Sequence, residues 1–496
     1  MTYTILDCYT DEASGLGVPP YLGTYPRYLY GYLKKNFPNE QIYYITIDDL
    51  RLLHKYNNKI PGTSEKQKTD ISVHNLTCNS PHIQQILSST TEMIVNLGVH
   101  VPGKYLTATP GTLKETNRIL KELAMKYNIT CRKILTGPAV MGTQLFGGKF
   151  FEKNTGNVFD QTKDFNFTYN EIKEYSILGS EIVEQIPQYK VIEIETGKGC
   201  NVGKCSFCTE PLKSKVEYRP KEDIVLEIKK LYDLGQRNFR LGKQTCFYSY
   251  PDVIPLLEQI RYNCPDIEIL HIDNVNPIFV CTKKGEEITK AIVKHCTSGN
   301  IAAFGVESFD PIVTKANTLN CNAETAMKAI RLINKYGAER GENGMPKFLP
   351  GINIIFGLNG ESKKTHEINM EYFKKILDEG LLLRRINIRQ TAIFEGTKLY
   401  EDCGDKFLKK NRKHYWRWRN DIRQQIDYPM LQRVLPLGTV LKDCVAEMYD
   451  GKTTFLRQIG TYPLIIGVKG RVALGEKYSI NVTGHMLRSI VGEIIQ

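Results

Sequence analysis

Two hydrophobic periods alternate along the first 150 residues of the chain. Short apolar runs have the length of buried strands, and the segments between them repeat their apolar positions with a helical period. We predict strands at residues 3–8, 41–47, 92–98 and 132–137, and helices at 25–36 and 110–127 with Thr112 as a cap. This alternation favours a parallel sheet that is covered by helices on both faces.

A second series of strands and helices begins near residue 189. Its predicted strands are 189–195, 238–242, 267–272, 301–306, 352–357 and 385–391, and its clearest helices are 221–234, 323–336 and 364–377. Repeated strand–helix units with right-handed crossovers predict a partial (β/α)6 barrel. In such barrels the chemistry lies at the carboxyl ends of the strands.

The pattern changes again near residue 437, where short strands are separated by Gly and Asp turns. Residues 438–448, 454–459, 463–468 and 478–483 predict a small antiparallel, OB-like β-barrel. The whole chain is therefore expected to be of the α/β class. Its predicted units are a Rossmann-like domain at 1–150, a linker or lobe at 151–188, a core at 189–403, a basic aromatic connector at 404–436 and the small barrel at 437–496.

Composition adds few constraints to this division. The chain has 496 residues, of which 41% are hydrophobic and 24% are charged, as in ordinary soluble proteins. No apolar run approaches the roughly 20 residues of a membrane span, and no basic, hydrophobic leader opens the sequence, so we expect a cytoplasmic location. Thirteen irregularly spaced cysteines do not suggest a disulfide framework. The net charge of +12 permits a polyanionic partner.

Three of these cysteines are concentrated in one loop. Cys200, Cys205 and Cys208 lie within nine positions, among small and polar residues, directly after the predicted strand 189–195. Three thiolates are one ligand short of a closed zinc or iron–sulfur site, so one coordination position would stay open. The loop's position at a strand end favours a catalytic centre over buried structural thiols. A zinc site completed by Cys246 or His271 is the alternative.

From the cysteine loop onward, the sequence resembles the radical S-adenosylmethionine (radical SAM) superfamily over about residues 190–402. The family spacing is Cys-x3-Cys-x2-Cys, and here the first interval holds four residues. Further similar segments follow in the family's order. They are 217–227 (EYRPKEDIVLE), 241–245 (LGKQT), 305–308 (GVES), 354–362 (IIFGLNGES, with Asn359 in place of the usual proline) and 390–397 (QTAIFEGT).

The resemblance implies a [4Fe–4S] cluster whose ligands are Cys200, Cys205 and Cys208, and whose fourth iron binds S-adenosylmethionine. Reductive cleavage would then yield a 5′-deoxyadenosyl radical. The residues implied to bind the cofactor are Phe207 near the adenine, Gly242, Lys243 and Gln244 near the methionyl amino group, Glu307 at the ribose, Ser308, Gly357 and Arg389. No residue is assigned to the reaction on the substrate.

The N-terminal domain is similar to cobalamin-binding-like domains, mainly through the segment 133–139 (KILTGPA). The Asp-x-His-x-x-Gly signature of base-off cobalamin binding is missing, so no signature supports cobalamin as a cofactor. Methylthiotransferases carry a second cluster in their N-terminal domain. Cys8, Cys78 and Cys131 do not match its spacing and are expected to be structural thiols.

The C-terminal barrel resembles a TRAM module, a fold that commonly contacts RNA. The basic connector holds Tyr415, Trp416 and Trp418, which would either stack on bases or pack inside an amphipathic helix. The leading hypothesis is a radical SAM enzyme that modifies RNA, such as tRNA, by methylthio or methyl transfer, with an unidentified electron donor. The alternatives are a cobalamin-dependent radical methyltransferase acting on a protein or small molecule, and a zinc-containing nucleic-acid-binding protein.

Overall fold

The protein was analysed as a computed structural model, which describes residues 1–9, 21–98, 109–141, 143–145, 150–152, 158–187 and 191–495. Its N-terminal part contains strands β1 (Thr2–Asp7), β2 (Tyr21–Leu22), β3 (Gln41–Thr46), β4 (Glu92–Asn96), β5 (Arg132–Thr136), β6 (Thr143–Leu145), β7 (Phe150–Glu152) and β8 (Gln161–Thr162). Its helices are α1 (Thr24–Asn36), α2 (Ile47–Tyr56), α3 (Ile83–Ser89), α4 (Leu113–Tyr127) and α5 (Tyr169–Leu178).

The N-terminal sheet has the strand order β3-β1-β4-β5-β8, and all of its pairs are parallel. The predicted parallel sheet is thus confirmed, and Thr112 caps α4 by accepting a hydrogen bond from the Glu115 amide. The segment predicted as a linker contributes β8 to this sheet. It also contributes α5, which lies so close to α1 that a Cβ on Gly31 would come within 1.9 Å of the Tyr175 carbonyl oxygen.

The central part contains strands β9 (Val191–Glu195), β10 (Gly197–Lys198), β11 (Glu217–Tyr218), β12 (Asn238–Gly242), β13 (Ile269–Ile272), β14 (Asn274–Val275), β15 (Asn300–Glu307), β16 (Phe348–Phe356) and β17 (Arg385–Gln390). Its helices are α6 (Glu210–Lys213), α7 (Lys221–Asp233), α8 (Val253–Asn263), α9 (Pro277–Val280), α10 (Lys283–His295), α11 (Pro311–Ala316), α12 (Ala323–Gly337), α13 (Lys363–Asp378) and α14 (Lys398–Asp402).

The core strands form two four-stranded sheets, β2-β9-β12-β13 and β14-β15-β16-β17, and every pair is parallel. The sheets meet at Asp273, the single residue between β13 and β14. The sequence predicts one continuous barrel sheet, and here the structure differs. The six predicted strand segments nevertheless follow one another in chain order around the core.

Side chains alternate along these strands between an apolar outer face and a polar inner face. The outer residues, such as Ile192, Phe239 and Phe304, belong to the main hydrophobic core. Because successive side chains point to opposite faces, the residues between them face the lumen. These lumen residues are mostly polar: Glu193, Glu195, Arg240, His271, Asp273, Glu307, Asn353, Arg385, Asn387 and Arg389. A polar lumen is suited to holding a polar molecule.

The N-terminal helix α1 is joined to the core by a buried ion-pair triad. The Glu227 carboxylate on α7 pairs with Arg27 at 2.5 Å and with Arg219 at 2.6 Å, and all three side chains are at most 1% exposed. Each charge in this triad therefore has a partner.

The C-terminal part begins with helix α15 (Lys406–Ile422), a π-helical stretch (Arg423–Asp427) and helix α16 (Tyr428–Val434). Strands β18 (Val440–Asp450), β19 (Thr453–Gln458), β20 (Ile465–Lys469), β21 (Lys477–His485) and β22 (Ser489–Ile494) then form a closed barrel in the order β18-β19-β20-β22-β21. The pair β20–β22 is parallel, which corrects the antiparallel prediction. A closed ring of five strands cannot alternate in direction throughout, so at least one pair must be parallel.

A loop of this barrel packs against the lumen face of the core strands. The Thr461 amide donates a hydrogen bond to His271 Nδ1 at 3.0 Å, and Tyr462 packs against Ile301 and Ala303 on the lumen face of β15. These residues lie toward the amino ends of their strands or near the middle, away from the cysteine loop. We call residues 459–464 the plug.

Some aromatic residues of the connector are buried and one is exposed, so the sequence's two interpretations, packing within a helix and stacking on bases, each fit some of them. Trp418 is buried and stacks on His366, with ring centroids 5.3 Å apart, and Tyr415 contacts Phe356. Trp416 alone of the three is largely exposed, at 69%. Packing therefore accounts for two of the three rings. Within the described ranges, no helix combines the length and the apolar character needed to cross a bilayer.

Candidate active site

The cysteine loop leaves the carboxyl end of β9 and returns through the hairpin of β10 and β11. Cys200, Cys205 and Cys208 are all free thiols of intermediate exposure. Gly199 allows this path, because it has φ +79° and a Cβ there would lie 2.5 Å from the Lys215 carbonyl oxygen. The loop is therefore placed at the strand rim that the sequence predicted for it.

Hydrogen bonds from neighbouring elements fix the loop. Thr245, after β12, donates its hydroxyl to the Gly199 carbonyl at 3.0 Å. The Gly199 amide in turn donates to the Glu210 carboxylate at 3.0 Å. The Thr245 hydrogen bond thus links the cysteine loop to the segment that follows β12.

Polar groups surround each of the three sulfurs. The Gly203 amide donates to Cys200 Sγ at 3.3 Å, and the Glu210 amide donates to Cys208 Sγ at 3.4 Å. Cys205 Sγ donates to Asn320 Oδ1 at 3.2 Å. Amide donors to sulfur are among the features that tune iron–sulfur clusters, so this donor set suits thiolate ligands.

The thiols also affect one another electrostatically. Burial raises the pKa of Cys205 to about 12, and the negative charges of Cys208, Glu307 and Cys200 add to this effect. Burial likewise raises the pKa of Cys208, with further contributions from Glu210 and Cys200. A metal centre that binds these sulfurs would therefore have to offset the cost of forming their thiolates.

The predicted cofactor residues follow the ends of the core strands in an unusual backbone conformation. Lys243 after β12 has φ +70°, Glu307 at the end of β15 has φ +61°, and Gly357 after β16 has φ +95°. Non-glycine residues in the left-handed region carry a conformational cost that is often found at ligand sites. The structure thus brings these three positions to the same rim as the cysteine loop.

Two buried side chains at this rim lack hydrogen-bond partners among the described residues. Gln244 is 2% exposed, and neither its Oε1 nor its Nε2 is paired; Glu307 Oε2 is also buried and unpaired. Desolvation raises the pKa of Glu307 to about 8, and Arg389 opposes this effect. Buried polar groups are normally satisfied, so these atoms fit a polar ligand such as S-adenosylmethionine.

The remaining predicted residues have contacts within the chain. Gly242 accepts hydrogen bonds from Thr196 through its carbonyl, and the Ser308 hydroxyl accepts one from the Asp310 amide. The ring of Phe207 packs beside Leu358 and other apolar residues. Ser308 therefore shapes the turn after β15, and the chain itself uses its hydroxyl.

Sequence reasoning missed two buried residues that organise the site. Asn317 accepts a hydrogen bond from Ser206 at 2.8 Å and donates to the Asn359 carbonyl at 2.8 Å, which links the cysteine loop to the loop after β16. Glu361 accepts from the Gly357 amide at 2.8 Å. Asparagine and glutamate in loops carry no distinctive sequence signal, although Glu361 lies within the segment 354–362.

The zinc alternative gains no support from the geometry. In the part of the chain that the structure describes, no three His, Cys, Asp or Glu side chains are arranged to hold a metal ion. His271 Nδ1 accepts from the plug, and Cys246 Sγ accepts from the Asn276 amide at 3.2 Å. A four-iron cluster spreads its ligands more widely than a single ion does.

Comparison with known sequences decides the family. The sequence model of the Radical SAM superfamily matches residues 194–395, which contain the cysteine loop, four of the five further segments and most of the fifth, 390–397. Residues 194–395 are a domain of the Radical SAM superfamily. Such a domain implies a [4Fe–4S] cluster and S-adenosylmethionine as cofactors, which confirms the cofactors predicted from the sequence.

The radical SAM protein also has full-length relatives in archaea. It is 39% identical to the uncharacterized protein MJ0274 of Methanocaldococcus jannaschii, over 99% of this chain and 93% of that protein. It is 38% identical to an uncharacterized protein of Archaeoglobus fulgidus, over 95% of this chain and 86% of that protein. These proteins and this chain form one family.

Solved structures show more distant likenesses. One is the radical S-adenosylmethionine methyltransferase TsrM of Kitasatospora setae with cobalamin and a [4Fe–4S] cluster bound (TM-score 0.48, 13% identity, 79% of this chain and 75% of that chain). Another is the cobalamin-dependent S-adenosylmethionine radical enzyme OxsB (TM-score 0.48, 13% identity, 83% and 55%). At this level of similarity they identify neither a substrate nor a further cofactor.

Proposed function

We propose that the radical SAM protein is an enzyme that holds its cluster on Cys200, Cys205 and Cys208 and performs radical chemistry on a substrate in the core lumen. One observation carries this proposal. The three thiols lie at the same strand rim as Gln244 and Glu307, whose buried polar atoms have no partner in the described chain.

The bound cluster would supply the electron that cleaves S-adenosylmethionine to methionine and a 5′-deoxyadenosyl radical. The chain's own part is to bind and to exclude water. Gln244 and Glu307 would satisfy their free polar atoms on the cofactor. Burial raises the pKa of Glu307 to about 8, which favours the neutral carboxyl group as a hydrogen-bond donor. The plug would help to keep bulk water out of the opposite end of the lumen.

Transfer of a methyl or methylthio group to RNA remains our proposal for the reaction class. The basic helix α15 supports it, with Trp416 exposed and the Arg419 guanidinium 5.5 Å from the ring centroid. The strand order of the C-terminal barrel also supports it, because a five-stranded closed barrel of this kind is typical of OB folds that bind nucleic acid. We keep the predicted domain boundaries and the cytoplasmic location as proposals too.

Methyl transfer through cobalamin is the second candidate, and the N-terminal strand order favours it. In the order β3-β1-β4-β5-β8 the chain reverses direction across the sheet between β1 and β4. Ligands of open α/β sheets bind at such a switch point. We propose this crevice as the place where a cobalamin would lie.

Anaerobic reconstitution tests the proposed function. We expect close to four iron and four sulfide per chain, and 5′-deoxyadenosine on reduction with S-adenosylmethionine. S-adenosylhomocysteine as a further product would indicate methyl transfer. Replacing Cys205 by alanine should abolish both the cluster spectrum and 5′-deoxyadenosine.

The exposed Cys78 provides the matched control. Cys78→Ala should keep the iron content and the 5′-deoxyadenosine yield of the wild type. A protein that binds zinc, or that forms no 5′-deoxyadenosine with a complete cluster, would contradict the proposal.

A further inference from the structure

Four arginines lie close together where β17 begins. Arg384 and Arg385 are at the start of the strand, Arg423 is in the π-helical stretch, and Arg488 is in the turn between β21 and β22. Of these, Arg423 pairs with Asp427. Arg384, Arg385 and Arg488 form no salt bridge within the described residues, and Asp427 acts on Arg385 and Arg488 only at longer range. We call these four residues the arginine cluster.

Short contacts hold the cluster around the plug. Arg384 donates to the Tyr462 carbonyl at 2.9 Å, and the Arg385 guanidinium lies 3.9 Å from the centroid of the Tyr462 ring. Arg423 donates to the Ile386 carbonyl at 2.7 Å, one residue along β17 from Arg385. The cluster therefore joins the core, the connector and the C-terminal barrel.

Some N–H groups of the arginine cluster have no hydrogen-bond acceptor among the described residues. The Nε atoms of Arg384 and Arg423 are buried without a hydrogen-bond partner in the described chain, and Arg423 is only 5% exposed. A buried cation normally has a counter-charge, because desolvation without one is costly. Arg27 and Arg219 also have a buried donor without a hydrogen bond in the described chain, but both pair with Glu227, at 2.5 and 2.6 Å. Arg240 pairs with Asp273 at 2.7 Å.

The electrostatics agree with this geometry. Burial lowers the pKa of Arg384 to about 10, and the charge of Arg488 adds to the effect. Burial also lowers the pKa of Arg385 to about 10, with repulsion from Arg389, Arg384 and Arg423. A bound anion would relieve both the repulsion and the lost hydration.

The cluster is also accessible. β17 is the edge strand of its sheet, with no strand on its outer side among the described residues. Arg385 is half-buried and Arg488 is exposed, so part of the cluster faces solvent. Planar guanidinium groups bind phosphate and carboxylate through two parallel hydrogen bonds.

We propose that the arginine cluster binds an oxyanion group of the substrate that carries two or more negative charges, either a phosphate or diphosphate or a polycarboxylate. This inference rests on the proposed function, because it assumes that the lumen receives the substrate. Arg385 and Arg389 are four residues apart on one strand face, about 13 Å. Since Arg389 acts on Glu307, the anionic group is held at the end of the lumen away from the cofactor.

Calorimetric titration of the reconstituted holoenzyme tests the site. Pyrophosphate and citrate are titrated separately at matched ionic strength with S-adenosylmethionine saturating. We expect saturable binding of at least one anion, and the tighter of the two identifies the source as phosphate or carboxylate. Arg385→Gln and Arg488→Gln should each weaken it at least tenfold.

Arg118→Gln is the matched control, because it removes one exposed positive charge on α4. It should leave the affinity unchanged, and thermal unfolding should show that all variants are folded. The inference is overturned if neither anion binds, if the control weakens binding as much as the cluster variants, or if S-adenosylmethionine competes with the anion.

Formation of 5′-deoxyadenosine separates this inference from the proposed function. Anion binding that depends on the arginines in a protein that forms no 5′-deoxyadenosine would refute the proposed function and leave the anion site standing. Normal formation of 5′-deoxyadenosine without any anion binding would refute only the site.

Discussion

Two groups of arginines in this molecule have different surroundings. Arg27 and Arg219 share the Glu227 carboxylate between α1 and the core, at 2.5 and 2.6 Å. Arg385 and Arg384 instead face a tyrosine ring, a carbonyl group and one another. The first group has a carboxylate in direct contact, and the second has no salt bridge among the described residues. Charge pairing, more than burial, separates a structural arginine from one that is available to a ligand.

The largest expected effect is on the paired group. Glu227→Gln leaves two buried guanidinium groups without a counter-charge, so we expect the free energy of unfolding to fall by about 3–5 kcal/mol. Chemical denaturation measures this change. Glu222→Gln, exposed on the same helix, is the control and should have little effect. Equal losses of stability in Glu227→Gln and Glu222→Gln would contradict the role of Glu227 as the counter-charge of the two arginines.

The stability effect of Glu227→Gln should also depend on pH. The pKa of Glu227 is lowered by the two arginines, against its burial. A carboxyl group with a lowered pKa stabilises the fold above its unfolded pKa and loses this contribution as the pH falls. The stability difference between wild type and Glu227→Gln should therefore shrink below about pH 4.5. A difference that is constant from pH 7 to pH 3 would contradict this.

Glu361 should show the opposite dependence, because its hydrogen-bond partners, Gly357 and Asn411, are neutral. Burial raises its pKa to about 7. Ionisation then costs more in the fold than in the unfolded chain, so stability relative to Glu361→Gln should decrease from pH 4.5 to pH 7, by about 1–3 kcal/mol. Urea denaturation at four pH values measures it. An increase over that range would show that an unseen cation pairs with Glu361.

A smaller effect is expected where an aromatic ring substitutes for a counter-charge. Tyr462→Leu removes the ring beside Arg385 and keeps the carbonyl that binds Arg384, so we expect a loss of about 1–2 kcal/mol. Tyr232→Leu is the matched control, since Arg237 lies at the same distance of 3.9 Å from that ring, in a more exposed place. Thermal unfolding compares the two. A larger loss at Tyr232 would contradict the expectation.

The smallest effect is expected in the unpaired group itself. Arg385→Gln removes a charge whose pKa the fold already lowers to about 10, so the free energy of unfolding should change by less than about 1 kcal/mol. Chemical denaturation of Arg385→Gln and of the control Arg118→Gln measures this change. A loss as large as that of Glu227→Gln would mean that Arg385 has a counter-charge after all.

The sequence predicted the local parts of this molecule well. The strand 238–242 coincides with β12, and the cysteine loop lies at a strand rim as expected, because both follow from short apolar runs and their ends. β22 was missed, since Gly492 interrupts its apolar pattern. Hydrophobic periodicity therefore locates elements where the pattern is regular.

Contacts between distant segments were beyond such reasoning. The plug meets His271 across 190 positions of the chain, and Arg488 meets β17 only through the barrel's closure. The unpaired atoms of Gln244 also depend on what surrounds them in space. Trp418 shows the same limit, because a basic segment with tryptophans predicts RNA contact and core packing equally.

The plug limits the conclusions that can be drawn from a protein that lacks the C-terminal barrel. Residues 459–464 belong to the C-terminal barrel, yet Tyr462 and Thr461 contact the lumen face of the core strands. A core cut at residue 403 would lack these contacts, and His271 would lose its hydrogen bond from Thr461. Deleting the C-terminal barrel to test whether it recruits RNA would therefore also remove the plug, and water could then enter the lumen where we propose the radical chemistry. Point substitutions on α15, such as Trp416→Ala, test RNA recruitment and leave the plug in place.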